Sequence, residues 1–553
     1  MYLSLPYVFL LFYHEIGSGT NKDNGYPLHY GHPIWIIYKL IERNLRAIGL
    51  MPVVAGPVFW YFSCIRCMTE KGVILINRQT APGEWFLGEA PLTRNPSYPP
   101  IVFVQGRNSS ANSWFGETIY YGINDMERIA RDAGYQTVFV ELYDSDGSGS
   151  RNQWDNGKLL SGLLKEISTH FGQKVNIIAH SKGGIDTQAA LIHYEAHPYV
   201  GRVFTLSAPH SGSHLADLSF SWYAAWLADL LGQNDDGTYS LQTGEMAHFR
   251  TITDKHQNAA KNSYFTAAGA SHGPKFSSLS LGGAYLSSYG ENDGLVNVWS
   301  AVLSYGRHLF TDPTLDHDSV RIGSRFFSRV EPLIKSTELS SIQMKGPMPA
   351  EPFEMEANHI IRGGPLPASQ PAKHSFAIEE KAKGSFFVLS ASRDTKLSLL
   401  SPTGMSIQPE KPIAIPSHTY FGGAWLHPFN IDEAEEGIWE LSLQSITNDA
   451  YLFIANIQLP SPVQLALPAM MKKGSPLQIR GNQKAKYKCQ WRITDRSRAL
   501  IHNFTTQAQG QMLGYLPTIT KEGTYTITAD IEGVNEHGKT FNRTIIRSVY
   551  LFA

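Results

Sequence analysis

Cysteine is almost absent: Cys64, Cys67 and Cys489 are the three in 553 residues. Nothing between Met68 and Lys488 can be held by a disulfide, so that stretch must fold on its apolar cores alone. The CIRC at 64–67 has no second Cys pair to complete a zinc site and directly follows an apolar segment, which makes it a weak redox or metal motif. An excess of charge of one sign is missing as well. The net charge is -1 with 17% charged residues, and no stripe of Lys and Arg stands out, so nucleic acid is not an expected partner. A long membrane-spanning run is also lacking. The apolar segment AIGLMPVVAGPVFWYFS at 47–63 is short and Pro-interrupted for a span; with Lys39, Arg43 and Arg46 ahead of it, it reads as an export signal. Residues 1–67 are therefore expected to be a leader and the mature chain to be secreted, with a membrane anchor as the alternative reading.

What is present begins near residue 100. IVFVQG (101–106), TVFVEL (137–142), VNIIAH (175–180) and RVFTLS (202–207) are short β-branched runs bounded by turn residues, the pattern of strands buried on both faces. Between them, DMERIARDAG (125–134) and DNGKLLSGLLKEISTHFG (155–172) have helical spacing, the second with Leu160, Leu163, Leu164, Ile167 and Phe171 along one face. Strands alternating with helices predict a mostly parallel sheet with right-handed crossovers over 68–340. The Pro-rich, aperiodic stretch 341–371 reads as a linker. Beyond it, short alternating strands predict a jelly-roll-like β-sandwich at 372–459 and an Ig-like sandwich at 460–553, where KEGTYTITADIEG and TFNRTIIRSVYLFA are complementary enough to pair.

The chemistry gathers around NIIAHSKGG at 176–184. A strand runs into Ser181, a Gly pair follows, and IDTQAALIHYEA then continues as a helix. A turn that sharp strains its central residue and holds the hydroxyl above the sheet edge, provided that Ala179 and Gly183 stay small. A second match, GASHG at 269–273, leads into Pro274 and a Ser/Gly-rich loop, so Ser271 lacks the helix that the turn requires. A serine hydroxyl also needs a base and a group that orients the base. On this scaffold they follow in the order acid, then histidine. GENDGLVNVWSA supplies Asp293 in an Asn-Asp-Gly turn, and HLFTDPTLDHDSVRIG supplies His317, whereas His308 sits in an apolar run and reads as a packed or edge residue. Asp316 and Asp318 beside His317 read as caps or as modifiers of the imidazole.

Together, AHSKGG with its preceding VNII, TLSAPHSGSHLADL (205–218), ENDGLVNVWSA and LDHDSV resemble the secreted bacterial lipases of the α/β-hydrolase fold over about residues 100–335, with Ala179 standing where a Bacillus-type variant of the motif also has Ala. The resemblance implies a serine carboxylic-ester hydrolase acting on a lipid or acyl ester through Ser181, Asp293 and His317. It also implies an oxyanion hole made by the backbone N–H groups of Arg107 and Lys182, whose side chains are expected to face solvent. Gln105 stands where that family has His, which leaves the geometry of the Arg107 loop open.

Three readings compete with lipase or esterase. A polyester (polyhydroxyalkanoate) depolymerase would use the β-domains to dock on polymer, an acyltransferase would pass the acyl group to an alcohol, and a non-catalytic surface-binding protein would keep a degenerate hydrolase fold. LADLSFSWYAAWLADLL (215–231) reads equally as a mobile lid and as a fixed cap. DSDGSGSRNQWD (144–155) imitates a calcium loop through Asp144, Asp146, Ser148, Gly149 and Asp155, but Asp replaces the usual Glu and Arg151 fills an apolar position. A polar loop capping the next helix fits better, so no cofactor is expected and calcium is a secondary reading. Some related lipases use an Asp two residues past the histidine for calcium; here that residue is Ser319.

Overall fold

The computed structural model describes residues 81–553 apart from 146–148, 233–234, 340–354, 357 and 417–418. The expected leader, Cys64 and Cys67, and Asp146 and Ser148 of the calcium-like loop lie outside the described residues.

Seven strands form one sheet: β1 (Trp85–Leu87), β2 (Ile101–Val104), β3 (Thr137–Val140), β4 (Val175–His180), β5 (Val200–Leu206), β6 (Ser263–Gly269) and β7 (Arg307–Asp312). Their order is β1-β3-β2-β4-β5-β6-β7; β1 pairs antiparallel with β3 and every other pairing is parallel. The β-branched runs explain this arrangement. Successive side chains of a strand point to opposite faces, so Val102, Val104, Ile177 and Ala179 enter a core under the sheet with Leu160, Leu164 and Ile167. Ile101, Phe103 and Ile178 enter a core above it with Trp114, Phe326 and Val330. A sheet covered on both faces needs no polar alternation, and the strands have none.

Among the described residues, nine α-helices belong to this part: α1 (Met126–Asp132), α2 (Gln153–Phe171), α3 (Lys182–Ile192), α4 (His214–Ser219), α5 (Ala225–Leu230), α6 (Asp236–Ser240), α7 (Thr243–Thr253), α8 (Ser278–Leu286) and α9 (Gly323–Ile334). The loop that imitates a calcium site caps a helix. The Asn152 side chain accepts from the Trp154 and Asp155 amides at the start of α2, which satisfies two of the helix's unpaired donors.

Two β-sandwiches follow, antiparallel throughout except that Met470–Lys472 runs parallel to the end of Thr540–Phe552. The first sets a four-stranded sheet against a five-stranded one around Phe376, Phe386, Val388, Trp439, Leu441 and Phe453. It starts earlier than expected: His359–Leu366, within the stretch read as a linker, is the edge strand of its five-stranded sheet, paired with Asp449–Ile457. An edge strand tolerates proline, and the GGPL within it breaks the alternation by which a strand is recognised. The second sandwich closes around Leu477, Trp491, Ile527 and Val549, and its two longest strands, Gly523–Val534 and Thr540–Phe552, pair along their lengths.

The 215–231 segment is tied into the first sandwich. Leu215, Leu218, Tyr223, Ala224 and Leu227 share one core with Ile361, Leu426, Leu452 and Ile454. Its apolar face is thus covered by the β-domain, and of its large apolar side chains only Trp226 (48%) and Leu230 (54%) are substantially exposed. No described helix is long and apolar enough to cross a membrane.

Candidate active site

Ser181 follows β4 and immediately precedes α3. Its backbone is at φ 54, ψ -132, a region that L-residues avoid and that a turn tightly packed on every side can enforce. Two glycines make room. A side chain on Gly183 would meet the Gln105 carbonyl oxygen at 2.3 Å, and one on Gly106 would stand 3.0 Å from the Ser181 Cβ. The end of β2 and the start of α3 therefore touch through backbone, which brings the Arg107 and Lys182 peptides beside the serine.

His317 stands in the loop after β7, and Asp293 in the β6–β7 connection. The Ser181 Oγ lies 3.1 Å from His317 Nε2, and His317 Nδ1 lies 2.8 Å from Asp293 Oδ2. The second carboxylate oxygen of Asp293 accepts from the Leu295 and Val296 amides at 3.0 and 2.8 Å, so the turn and the imidazole share one side chain. With a carboxylate at Nδ1, the proton belongs on that nitrogen and Nε2 is left to accept from the hydroxyl. Asp293 is 1% exposed and His317 6%, which keeps the pair in a low-dielectric setting. The peptide chain adds a second tie, as the His317 amide donates to the Asp293 carbonyl at 2.9 Å.

His180, just before the serine, had no assigned role in the sequence. Its Nε2 sits 2.9 Å from the His317 carbonyl oxygen, and its ring is 4.7 Å from that of His317. The other sequence candidates lie apart from this constellation. Ser271 is in the loop after β6, with its amide bonded to Leu315; His308 is on β7, between Thr266 and Thr311. Asp316 accepts from the Asp318 and Ser319 amides, and Asp318 from those of Ile119 and Tyr120, so both organise loops around the site.

The side chains of Arg107 and Lys182 do not face solvent as expected. Lys182 is 0% exposed; its Nζ donates to Asp186 at 2.8 Å and approaches Asp144 at 3.4 Å. The reason is the turn itself: α3 is buried along its whole length, so its first side chain is directed inward, where only paired carboxylates make an ammonium tolerable. Two carboxylates then share one cation, and burial raises the Asp186 carboxyl to about 7. Arg107 bonds Asp235 at 3.3 Å and Thr238 Oγ1 at 2.9 Å, and its guanidinium lies 5.1 Å over the Tyr420 ring. Asp144, the first residue of the calcium-like loop, points at Lys182, whereas Asp155 is exposed on the first turn of α2. Gln105, the departure from the family pattern, is buried; with its amide oxygen and nitrogen exchanged, it donates to the Val140 carbonyl and accepts from the Leu142 amide at 2.9 and 2.8 Å, which ties the loop to the end of β3.

The pocket over Ser181 has an apolar wall of Ile119, Leu241, Leu279, Leu295 and Val296, and a polar side with Arg107, Asp318 and Arg321. Thr419 and Tyr420 of the first sandwich also line it. Among the described residues, no group of three His, Cys, Asp or Glu is arranged to hold a metal ion.

No family model and no curated protein matches the sequence. Among solved structures, the lipase BlEst2 of Bacillus licheniformis in its propeptide form aligns at 32% identity with a TM-score of 0.71, covering 85% of this chain and 98% of its own. The same lipase in mature form aligns at 46% identity over 46% of this chain and 99% of its own, with a TM-score of 0.42. At that identity and coverage by the propeptide form, the chain belongs to the family of the B. licheniformis lipase, within the lipases and esterases of the α/β-hydrolase fold.

Proposed function

We propose that the protein is a secreted serine carboxylic-ester hydrolase that works through an acyl-enzyme. The observation that carries this reading is the unbroken chain from Ser181 Oγ to His317 Nε2 and from Nδ1 to Asp293, built on a strained strand-to-helix turn. His317 removes the hydroxyl proton as Ser181 attacks the ester carbonyl carbon, and Asp293 stabilises the imidazolium and fixes its tautomer. The Lys182 and Arg107 N–H groups hold the tetrahedral oxyanion; as the first residue of α3, Lys182 has an N–H outside the helix's own ladder. His317 then gives the proton to the leaving alcohol, and water, activated by the same imidazole, releases the acid.

The apolar wall suits an acyl chain, so a lipid or acyl ester is the expected substrate. The polyester and acyltransferase readings keep the same machinery and differ in the acyl group or in the acceptor. The non-catalytic reading drew on Gln105, whose amide is engaged with β3 outside the pocket.

The full chain is a latent form in this reading. Thr419 and Tyr420 of the first sandwich line the pocket, the apolar face of 215–231 is closed under that sandwich, and a relative aligned over 98% of its own chain is a lipase in propeptide form. Separation of the sandwiches from the hydrolase part would uncover both the pocket and an apolar surface suited to a lipid interface. The test is hydrolysis of tributyrin, a long-chain triglyceride and polyhydroxybutyrate film before and after limited proteolysis, with Ser181→Ala alongside. Triglyceride hydrolysis that rises on cleavage and vanishes in the variant supports the reading. Activity retained in Ser181→Ala, or polymer cleaved in preference to glyceride, contradicts it.

A further inference from the structure

The loop after β2 carries Asn108 at φ 48, a left-handed conformation in a non-glycine residue, directly after the proposed donor Arg107. One side chain holds it there: the Asn108 amide donates to Asp144 Oδ1 at 3.1 Å. The other oxygen of that carboxylate accepts from Asn156 Nδ2 at 2.5 Å and stands 3.4 Å from Lys182 Nζ. Lys182 is the residue after Ser181, and its ammonium is held one turn further along α3 by Asp186. Asn156 closes the ring by donating to Asp186 at 3.0 Å. The exposures of Lys182, Asp144 and Asp186 are 0%, 4% and 1%, so the cluster is shut away from water.

We propose that Asp144 is a positioning residue for the oxyanion hole, coupling the loop that bears the Arg107 N–H to the turn that bears the Lys182 N–H through the buried Lys182 ammonium. The proposal rests on the reading of those two peptides as oxyanion donors. A buried ion cluster is a poor way to gain stability, since apolar residues of similar volume serve as well or better. What it supplies here is a fixed distance between two backbone segments that no β-ladder bond joins beyond Val104 and Ala179. Loss of one oxyanion donor typically costs about 10²–10³ in kcat, and loosening one costs less, about 10- to 100-fold.

The experiment uses the full chain with Asp144→Asn, Lys182→Met and the double variant. Asp144→Asn is isosteric and turns an amide donor toward the Lys182 ammonium. With p-nitrophenyl acetate, the expected result is a kcat lowered about 10- to 100-fold in each single variant with KM within about threefold, and a double variant no worse than the poorer single, because both act through one bridge. Amide hydrogen exchange across 105–112, followed by mass spectrometry, needs no turnover and is expected to quicken in Asp144→Asn. If that variant fails to fold, Asp144→Ser is read the same way, by exchange in 105–112 relative to the rest of the chain. Losses that multiply in the double variant, or wild-type exchange across 105–112 in Asp144→Asn, overturn the proposal. A wild-type chain in which a fluorophosphonate leaves Ser181 unmodified would instead count against the hydrolase reading, so the two failures are distinguishable.

Discussion

The guanidinium of Arg107, on the loop beside Ser181, lies 5.1 Å over the ring of Tyr420, a residue of the first β-sandwich. This contact joins the proposed oxyanion loop to the first sandwich. A desolvated cation–π contact is worth about 2 kcal/mol, or about thirtyfold in an equilibrium between a covered and an open pocket. Tyr420→Ala in the full chain is therefore expected to speed hydrolysis of p-nitrophenyl butyrate by roughly ten- to thirtyfold, with little change in Tm. An unchanged rate would mean that the Arg107–Tyr420 contact is not where the sandwich exerts its effect.

Asp293 has two duties that a single substitution separates. In Asp293→Asn the amide oxygen still accepts from the Leu295 and Val296 N–H groups, so the turn persists. The amide nitrogen, however, faces His317 Nδ1 and favours the tautomer with the proton on Nε2, where it cannot accept from Ser181. The expected outcome is a folded protein with kcat down by roughly 10³–10⁴. A loss below tenfold would show that the imidazole does not depend on this carboxylate.

Histidine burial at the junction gives a pH dependence with a definite sign. His359 is buried between the sandwich and Tyr285, whose carbonyl oxygen lies 3.0 Å from its Nε2, and burial lowers its imidazole to about 3. An unfolded histidine titrates near ~6.5. Between those values the unfolded chain binds a proton that the folded chain does not, so this residue's contribution to stability is full above pH ~6.5 and is lost as the pH falls. In His359→Gln, which can still donate to Tyr285, the drop in Tm between pH 7 and pH 5 is expected to be smaller than in the wild type. An equal drop would place the acid sensitivity elsewhere, among the other buried histidines.

The parts of this site that were legible in the sequence are those governed by local rules. Ser181 is marked by the strand before it and the glycines after it, Asp293 by an Asn-Asp-Gly turn, and His317 by its place after the acid and before a helix. What was not legible depends on distant partners. Lys182 is polar and follows a turn, which by itself argues for exposure; only the burial of α3, packed against the sheet, α2 and the apolar side chains of Leu241, Met246 and Phe249, turns it inward, to carboxylates at 144 and 186. Asp144 could be read as a calcium ligand because the pattern D-x-D carries no information about an ammonium 38 residues away. Tyr420 was silent for the same reason, since nothing in a β-rich stretch announces that its loop will reach another domain's pocket. His359–Leu366 was hidden by a Gly-Gly-Pro that an edge strand tolerates.

In the proposed mechanism the Ser181 hydroxyl is the nucleophile, activated by His317. The most direct measurement is reaction of the folded protein with a small fluorophosphonate, followed by mass spectrometry of the peptide that contains residue 181. One adduct per chain is expected on Ser181, absent in Ser181→Ala and strongly slowed in His317→Ala. An adduct on another residue, or equal labelling of the wild type and the His317 variant, would contradict it.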